Sequence, residues 1–526
     1  MQAETHKSST QILKNVLMNW AAFLATIGIG FIMSPFLVNR LGDSVYGVWV
    51  LVGSLVGYLG LLDFGITPST VKYVAEYRAL NDQKAINRLI TTSLAIYSVL
   101  GLIALVVSGV VAFYFNRIFD TPLSFQVAAA VVLITGLNLA ITFPASVFVG
   151  VLRGYQRYDL DSSITTINII IRSVLIVVLI FKGYGILALA LVTFAFDMLR
   201  LVYMMRWAYK LNPDIKIRRA YFDKAEMRRL FGYSVFAFLM IVGKKLIFYT
   251  DAIVIGIFMP VAAVTLYSIA NRLVTYLLQV SETMGVLTPT ASDLGARNDQ
   301  AAIKEMLVLS TKYMLLIALP VATVFFIMGE TFITLWMGRG YESSAAILSI
   351  LTVAVLAHLA EMPAHTVLLG LGKHKVVAYF TLAQAVANLA LSIALVKPYG
   401  LRGVALGTTI PMVAFTFIAI YVYFKTQLRL PLGDYVRRAV PLPIVLQLPF
   451  AVLIFLLERY TRQPLLENFS RPKAMLLFFA EVGAALIPYV ALVYFFCMSQ
   501  AERQAVHKIA AKFGIKKKAA IQAAES

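Results

Sequence analysis

The sequence predicts an all-α polytopic membrane protein of about fourteen transmembrane helices. These form two six-helix lobes related by pseudo-two-fold symmetry, plus two extra C-terminal helices. Hydrophobic residues make up 60% of the 526 residues and charged residues 14%, against roughly 25% charge in soluble domains. Apolar stretches long enough to cross hydrocarbon recur along the whole chain. The basic residues behind the formal charge of +20 lie mostly in short segments between those stretches, which is the positive-inside pattern and not a nucleic-acid patch. Cys497 is the only cysteine, so an intramolecular disulfide, a CxxC redox motif and a thiolate metal cluster are excluded.

In order, the expected spans are 16–38, 46–66, 90–115, 125–148, 164–181, 185–205, 233–258, 262–288, 309–329, 344–369, 376–396, 401–424, 440–457 and 474–497. The first apolar run has no small-residue cleavage pattern before it and reads as a retained span. The turn Lys182-Gly183-Tyr184-Gly185 divides spans five and six. With the N-terminus inside, the cytoplasmic segments hold about 30 basic residues and the external loops about 10, which places both termini in the cytoplasm. The tail contributes Arg503, Lys508, Lys512, Lys516, Lys517 and Lys518. The loop 458–473 runs against this count, with Arg459, Arg462, Arg471 and Lys473 on the expected outside.

The chain divides into an N-lobe (1–206), a basic cytoplasmic connector (207–231), a C-lobe (232–425) and a final part (426–526) with the last two spans and the tail. Within the connector, Asp223-Lys224-Ala225-Glu226 has capping-box spacing, with Asp223 as N-cap and Glu226 reaching back. A short basic helix on the membrane surface is expected there. An ordinary positively charged loop explains its charge equally well.

Three short patterns repeat at a separation of about 215–220 residues. Asn81-Asp82-Gln83 before span three matches Asn298-Asp299-Gln300 before span nine. Pro144-Ala145 with Gly150 matches Pro363-Ala364 with Gly370, and Tyr184-Gly185 matches Tyr399-Gly400. Parallel repeats of this kind are related by an axis along the membrane normal, with a substrate site between them.

Span seven stands apart, because Gly232–Met259 carries Lys244, Lys245 and Asp251 in its interior. A charge near the bilayer centre costs about 3–17 kcal/mol, so it usually faces a partner or a water-filled cavity. Lys244 and Lys245 lie about 11–12 residues into span seven, Arg272 about 10 residues into span eight and Arg172 some 8 residues into span five, all at similar depth. Lys244 and Asp251 are seven apart on one helix face, and a structural ion pair is the alternative reading of both. Adjacent lysines point roughly 100° apart, so one of the two faces any cavity axis directly. Arg200 and Lys312, near span ends, can snorkel to the interface.

Leu41-Gly42, Tyr46-Gly47-Val48-Trp49 and Leu61-Leu62-Asp63-Phe64-Gly65 resemble the opening of the polysaccharide-transporter family. So does Asp251 … Gly256 … Tyr267-Ser268-Ile269-Ala270-Asn271-Arg272 in the second half. These are the O-antigen and exopolysaccharide flippases of the multidrug/oligosaccharidyl-lipid/polysaccharide exporter superfamily. The resemblance covers essentially the whole chain. It implies a bacterial inner-membrane transporter that turns an undecaprenyl-diphosphate oligosaccharide from the cytoplasmic to the outer leaflet. It also implies V-shaped lobes around a cationic cavity, with a polysaccharide polymerase and a chain-length regulator as partners. Lys244, Lys245, Arg272 and Arg172 are the expected cavity cations, since a diphosphate in low dielectric needs matching charge and Arg offers a planar fork. Basic cytoplasmic loops are expected to meet anionic lipids.

Asp251 and Glu361 are the acids expected deepest in the repeated core, where either can bind a coupling proton or sodium ion. Asp63, Asp197 and Glu282 are further candidates for ion coupling or charge pairing. Asp63, at a span end, suits a helix-terminal or loop role at least as well. His358 and His365 share a helix face without a further ligand pattern, so no metal is expected. Gly101 and Gly109 read as small residues on packing faces. No Walker A, GxGxxG, HExxH or GxSxG motif is present, so no enzyme activity and no organic cofactor are expected. A drug antiporter of the same superfamily calls for an acid in the first span, which has Asn19 and none. A lipid II flippase calls for Arg in that span, and 20–38 contains none. A glycan polymerase calls for a large external loop, and the longest expected one is about 16 residues.

Overall fold

The computed structural model describes residues 2–232, 235–500, 502–504 and 507, with side chains from residue 22 onward except at 232, 235, 237, 283 and 286. Among the described residues every regular element is helical. The first half comprises α1 (Gln2–Leu41), α2 (Asp43–Leu59), α3 (Ile66–Ala79), α4 (Gln83–Ile118), α5 (Phe125–Gly154), α6 (Tyr158–Phe181) and α7 (Ile186–Leu211). A short α8 (Lys224–Gly232) follows, then α9 (Val235–Phe258), α10 (Ala262–Leu278), α11 (Leu287–Ala296), α12 (Gln300–Ile327), α13 (Gly329–Met337) and α14 (Ser343–Gly370). The last elements are α15 (His374–Val422), α16 (Leu432–Ala439), α17 (Pro441–Glu467) and α18 (Arg471–Leu492).

Eleven helices among the described residues are long and apolar enough to cross a membrane. The helical run His374–Leu428 is one of them; it breaks at Gly400, whose φ of 57° and ψ of −137° no helix accommodates. Two expected spans fall outside the eleven: α9 carries three charges, and α10 has 17 residues. The expected number of fourteen is reached when α9, α10 and both halves of the broken run are read as spans.

The helices group into two compact units, Met1–Tyr276 with Gly372–Phe417, and Leu277–Leu371 with Ile418–Ser526. In the first, α4 and α5 pack along much of their length, with α3 and α7 against α5. Lipid supplies little hydrophobic drive between helices, so close van der Waals approach matters most. Gly101 provides it, since a Cβ there would collide with the Ala140 carbonyl, whereas Gly109 meets nothing within 4 Å. Ile66, Val74, Leu89, Tyr97 and Val147 fill the core beside this contact.

The sequence repeat is a structural one. Asn81 and Asn298 both take left-handed backbone, with φ of 55° and 54°. Asp82 then caps α4 by accepting from the Ala85 amide at 2.8 Å, and Asp299 caps α12 by accepting from the Ala302 amide at 2.9 Å. These caps start both helices about seven to nine residues earlier than the apolar runs suggested. The second span of each repeat also ends sooner than expected. A tight 3-10 turn follows it (Gly60–Asp63; Gln279–Val286), and then a separate short helix, α3 or α11.

Two expectations need correction. The segment 458–473 is not a loop: α17 continues to Glu467 and α18 starts at Arg471. Two of its basic residues are engaged inside the second unit. Arg462 pairs with Glu330 at 2.5 Å and Glu458 at 3.5 Å, while Arg471 donates to the Trp336 carbonyl at 2.9 Å and the Leu335 carbonyl at 3.4 Å. The capping box of α8 is half formed. Asp223 accepts from the Ala225 amide at 2.8 Å, but its own amide donates to Thr92 Oγ1 at 3.0 Å, and Glu226 turns away to accept from the Tyr77 hydroxyl at 2.7 Å. The connector is further held by Asn87, whose Oδ1 accepts from the Lys216 amide and whose Nδ2 donates to the Asp214 carbonyl. Arg503 donates to the Phe495 carbonyl at 2.6 Å; Lys508, Lys512, Lys516, Lys517 and Lys518 lie outside the described residues.

Candidate functional site

The first unit contains both charge clusters of interest. Asp251 on α9 is 5% exposed and surrounded by neutral donors. Its Oδ2 accepts from the Tyr267 hydroxyl of α10 and from Thr408 Oγ1 at 2.9 Å. Asn388 Nδ2 donates to the same Thr408 oxygen at 2.8 Å, and buried Ser392 stands beside the carboxyl. Gly400 makes this possible, because the break there folds the Thr408 segment back against the Asn388 segment. Two buried acceptors, Asp251 Oδ1 and Asn388 Oδ1, are left without a hydrogen bond. Buried polar atoms are rarely orphaned, and an orphaned carboxylate oxygen suits a cation or a proton.

Arg272 on α10 has a different environment. Its Nη2 donates to the Tyr46 hydroxyl of α2 at 3.1 Å. Tyr276, one turn on, stands beside the guanidinium out of hydrogen-bond geometry. Among the described residues the groups acting on its charge are these two phenols, with no carboxylate. The seam between α2 and α9 continues with Tyr58 hydrogen-bonded to Thr250 and with the Tyr249 ring against Gly57. Lys245 Nζ lies 4.1 Å from the centre of the Tyr249 ring, a cation–π contact. Lys244 is exposed, and no direct ion pair joins it to Asp251.

The other candidates are engaged elsewhere. Arg172 Nη1 lies 3.4 Å from Asp197 Oδ1, and Asp197 Oδ2 accepts from Asn138 Nδ2 at 2.8 Å. Arg172 and Asp197 therefore neutralise one another. Asp63 closes the 3-10 turn, accepting from Tyr97 and from Thr67 Oγ1 at 2.9 Å. In the second unit Glu361 is buried and hydrogen-bonded to the Tyr423 hydroxyl, where the helical run widens into a π turn. Glu282 is exposed in its 3-10 turn. Lys312 donates to the Cys497 carbonyl at 3.1 Å, capping the widened end of the α18 run.

Sequence reasoning found the charges and missed their holders: Tyr46, Tyr276, Gly30, Asn388, Ser392 and Thr408. A signal existed for two tyrosines. Tyr46 and Tyr267 stand in the motifs quoted above, and each binds one of the two charges.

The sequence profile of a family described as polysaccharide biosynthesis protein matches residues 41–346. A Shigella flexneri protein provisionally named an O-antigen transporter is 24% identical over 425 residues, covering 79% of this chain and 98% of its own. A Haloferax volcanii protein provisionally named a low-salt glycan biosynthesis flippase is 23% identical, covering 75% of this chain and 80% of its own. Among solved structures, a lipid II flippase in an inward closed conformation aligns with a TM-score of 0.68 at 13% identity, covering 91% of this chain and 98% of its own. An inward-facing multidrug resistance transporter of the MATE family and MOP superfamily aligns with a TM-score of 0.62 at 15% identity, covering 80% of this chain and 96% of its own. At such identities the last two likenesses speak for the fold.

Proposed function

Because the chain belongs to the polysaccharide biosynthesis protein family, we propose that this multi-pass membrane protein is a flippase for undecaprenyl-diphosphate oligosaccharides, working by alternating access between two six-helix lobes. The observation that carries this reading is Arg272, a cation well inside α10 with two phenols and, among the described residues, no acid around it. Holding a charge in that state is costly in a membrane, and a diphosphate supplies the missing counter-charge through the guanidinium fork. Exposed Lys244, with Lys245 nearby, adds positive charge on α9 for the same headgroup. The names of the Shigella and Haloferax relatives support a glycan-lipid substrate.

Asp251 is the coupling acid in this reading. A sodium ion or a proton satisfies its free Oδ1, and its cycle of binding and release drives the lobes between states. Both termini lie in the cytoplasm of a bacterial inner membrane, with anionic lipids at the basic connector. A polymerase and a chain-length regulator take up the product on the outer side.

The test is flipping of a fluorescent undecaprenyl-diphosphate oligosaccharide by the purified protein in proteoliposomes, with proton and sodium gradients imposed in turn. Flipping that requires the protein and accelerates with one gradient supports the proposal. Correctly folded protein that flips nothing under any gradient defeats it. Preference for fluorescent lipid II, or for cationic drugs, transfers the assignment to those rival readings.

A further inference from the structure

Resting on the flippase reading, we propose that Tyr46 and Tyr276 are positioning residues that hold Arg272 for a diphosphate without neutralising it, and that the Tyr46 hydroxyl also donates to that anion.

Tyr46 is 2% exposed and accepts from Arg272 Nη2. Its oxygen is thus used as an acceptor, while its own proton meets no acceptor among the described residues. The proton is directed by the bond to Arg272 and remains available to a ligand oxygen at the guanidinium. Arg has five N–H donors in a fixed fork, and Tyr46 occupies one. Tyr276 holds the other flank. Its buried hydroxyl has no hydrogen bond and lies against Gly30, where a Cβ would come within 2.8 Å of the Tyr276 oxygen and 3.8 Å of Arg272 Nη1. Gly30 is therefore what lets Tyr276 stand beside the guanidinium.

Arg172 shows what the alternative looks like. Paired with Asp197, it offers an incoming anion a site already filled by a carboxylate. A phenol is neutral at pH 7, so it orients the guanidinium while leaving the whole positive charge to the ligand.

Full-length Tyr46→Phe, Tyr276→Phe and Gly30→Ala are compared with wild type by three readouts. These are binding of farnesyl diphosphate and farnesyl monophosphate in detergent, the KM and maximal rate of flipping, and the thermal midpoint. Losing a hydrogen bond to a charged group is expected to weaken farnesyl diphosphate binding about tenfold in Tyr46→Phe. KM should rise to match, with little change in maximal rate or thermal midpoint, and the preference for diphosphate over monophosphate should narrow. Tyr276→Phe and Gly30→Ala should each weaken binding by a smaller and similar factor. Gly30→Ala keeps the test decisive if a phenylalanine variant fails to assemble.

A merely structural tie between α2 and α10 predicts the reverse, a lowered thermal midpoint with unchanged diphosphate affinity, and that result overturns the proposal. Wild type that binds no farnesyl diphosphate overturns it as well. Wild type that binds farnesyl diphosphate in a Tyr46-dependent way yet flips nothing leaves the site assignment standing and removes the flippase reading. Active flipping with normal binding in all three variants does the opposite.

Discussion

Tyr46 accepts a hydrogen bond from Arg272 at 3.1 Å across 226 residues of sequence. That bond joins the two motifs on which the family resemblance rests. It also separates two arginines that look equivalent in sequence, because Arg272 keeps its charge and Arg172 shares one with Asp197.

The separation gives the first prediction. Arg272→Ala should lower flipping at least tenfold with folding intact, whereas Arg172→Ala should act through stability, leaving Asp197 half-buried and unpaired. Proteoliposome flipping beside thermal unfolding of both variants checks it. Equal losses of activity at equal stability would refute the distinction.

Asp251→Asn is expected to keep the Thr408 contact and remove the negative charge. Flipping should lose its dependence on the imposed ion gradient and proceed slowly in either direction. Measuring initial rates with the gradient forward, absent and reversed shows this, and a variant still driven by the gradient would exonerate Asp251.

The connector clasp should be sensitive to alkali. Burial, and then Glu226, push the Tyr77 hydroxyl up from its usual 10.0 to about 12. The folded clasp thus favours the neutral phenol, so its contribution is whole below pH 10 and is lost as pH rises toward 12. Tryptic cleavage at Lys216–Arg229 should accelerate over that interval in wild type. Tyr77→Phe should be cleaved faster already at pH 8 and show less of the alkaline rise.

Arg471→Ala strips hydrogen bonds from two carbonyls at the end of α13, where Trp336 is 3% exposed. An unsatisfied buried acceptor costs about 1–3 kcal/mol, and unfolding in mild denaturant should register a loss of that order. A neutral result would make Arg471 an ordinary interfacial arginine.

The long apolar runs were legible because hydrophobic length alone declares a membrane helix. The repeat was legible because Asp82 and Asp299 do the same capping work in the same left-handed turn. Other elements were hidden for physical reasons. The helices α3 and α11 are too short and polar to register as spans, and α13 is packed by its neighbours in three dimensions. Arg462 and Arg471 misled the charge count because their partners, Glu330 and the α13 carbonyls, are more than 120 residues away in sequence. The site charges stood out by their cost in lipid. Tyr46, Asn388 and Thr408 did not, since neutral polar residues are common in membrane helices and only their convergence identifies them.

The unshared charge of Arg272 has an electrical consequence. A full elementary charge crossing the whole membrane field changes in energy by about 2.3 kcal/mol per 100 mV. Any step that carries Arg272 through part of that field, alone or with an anion of different magnitude, is voltage-dependent in proportion to the net charge moved. The Arg172–Asp197 pair has no net charge and contributes no such dependence when it moves as a unit. Membrane voltage therefore acts on Arg272, as on the unpaired charges of α9, and not on the Arg172–Asp197 pair.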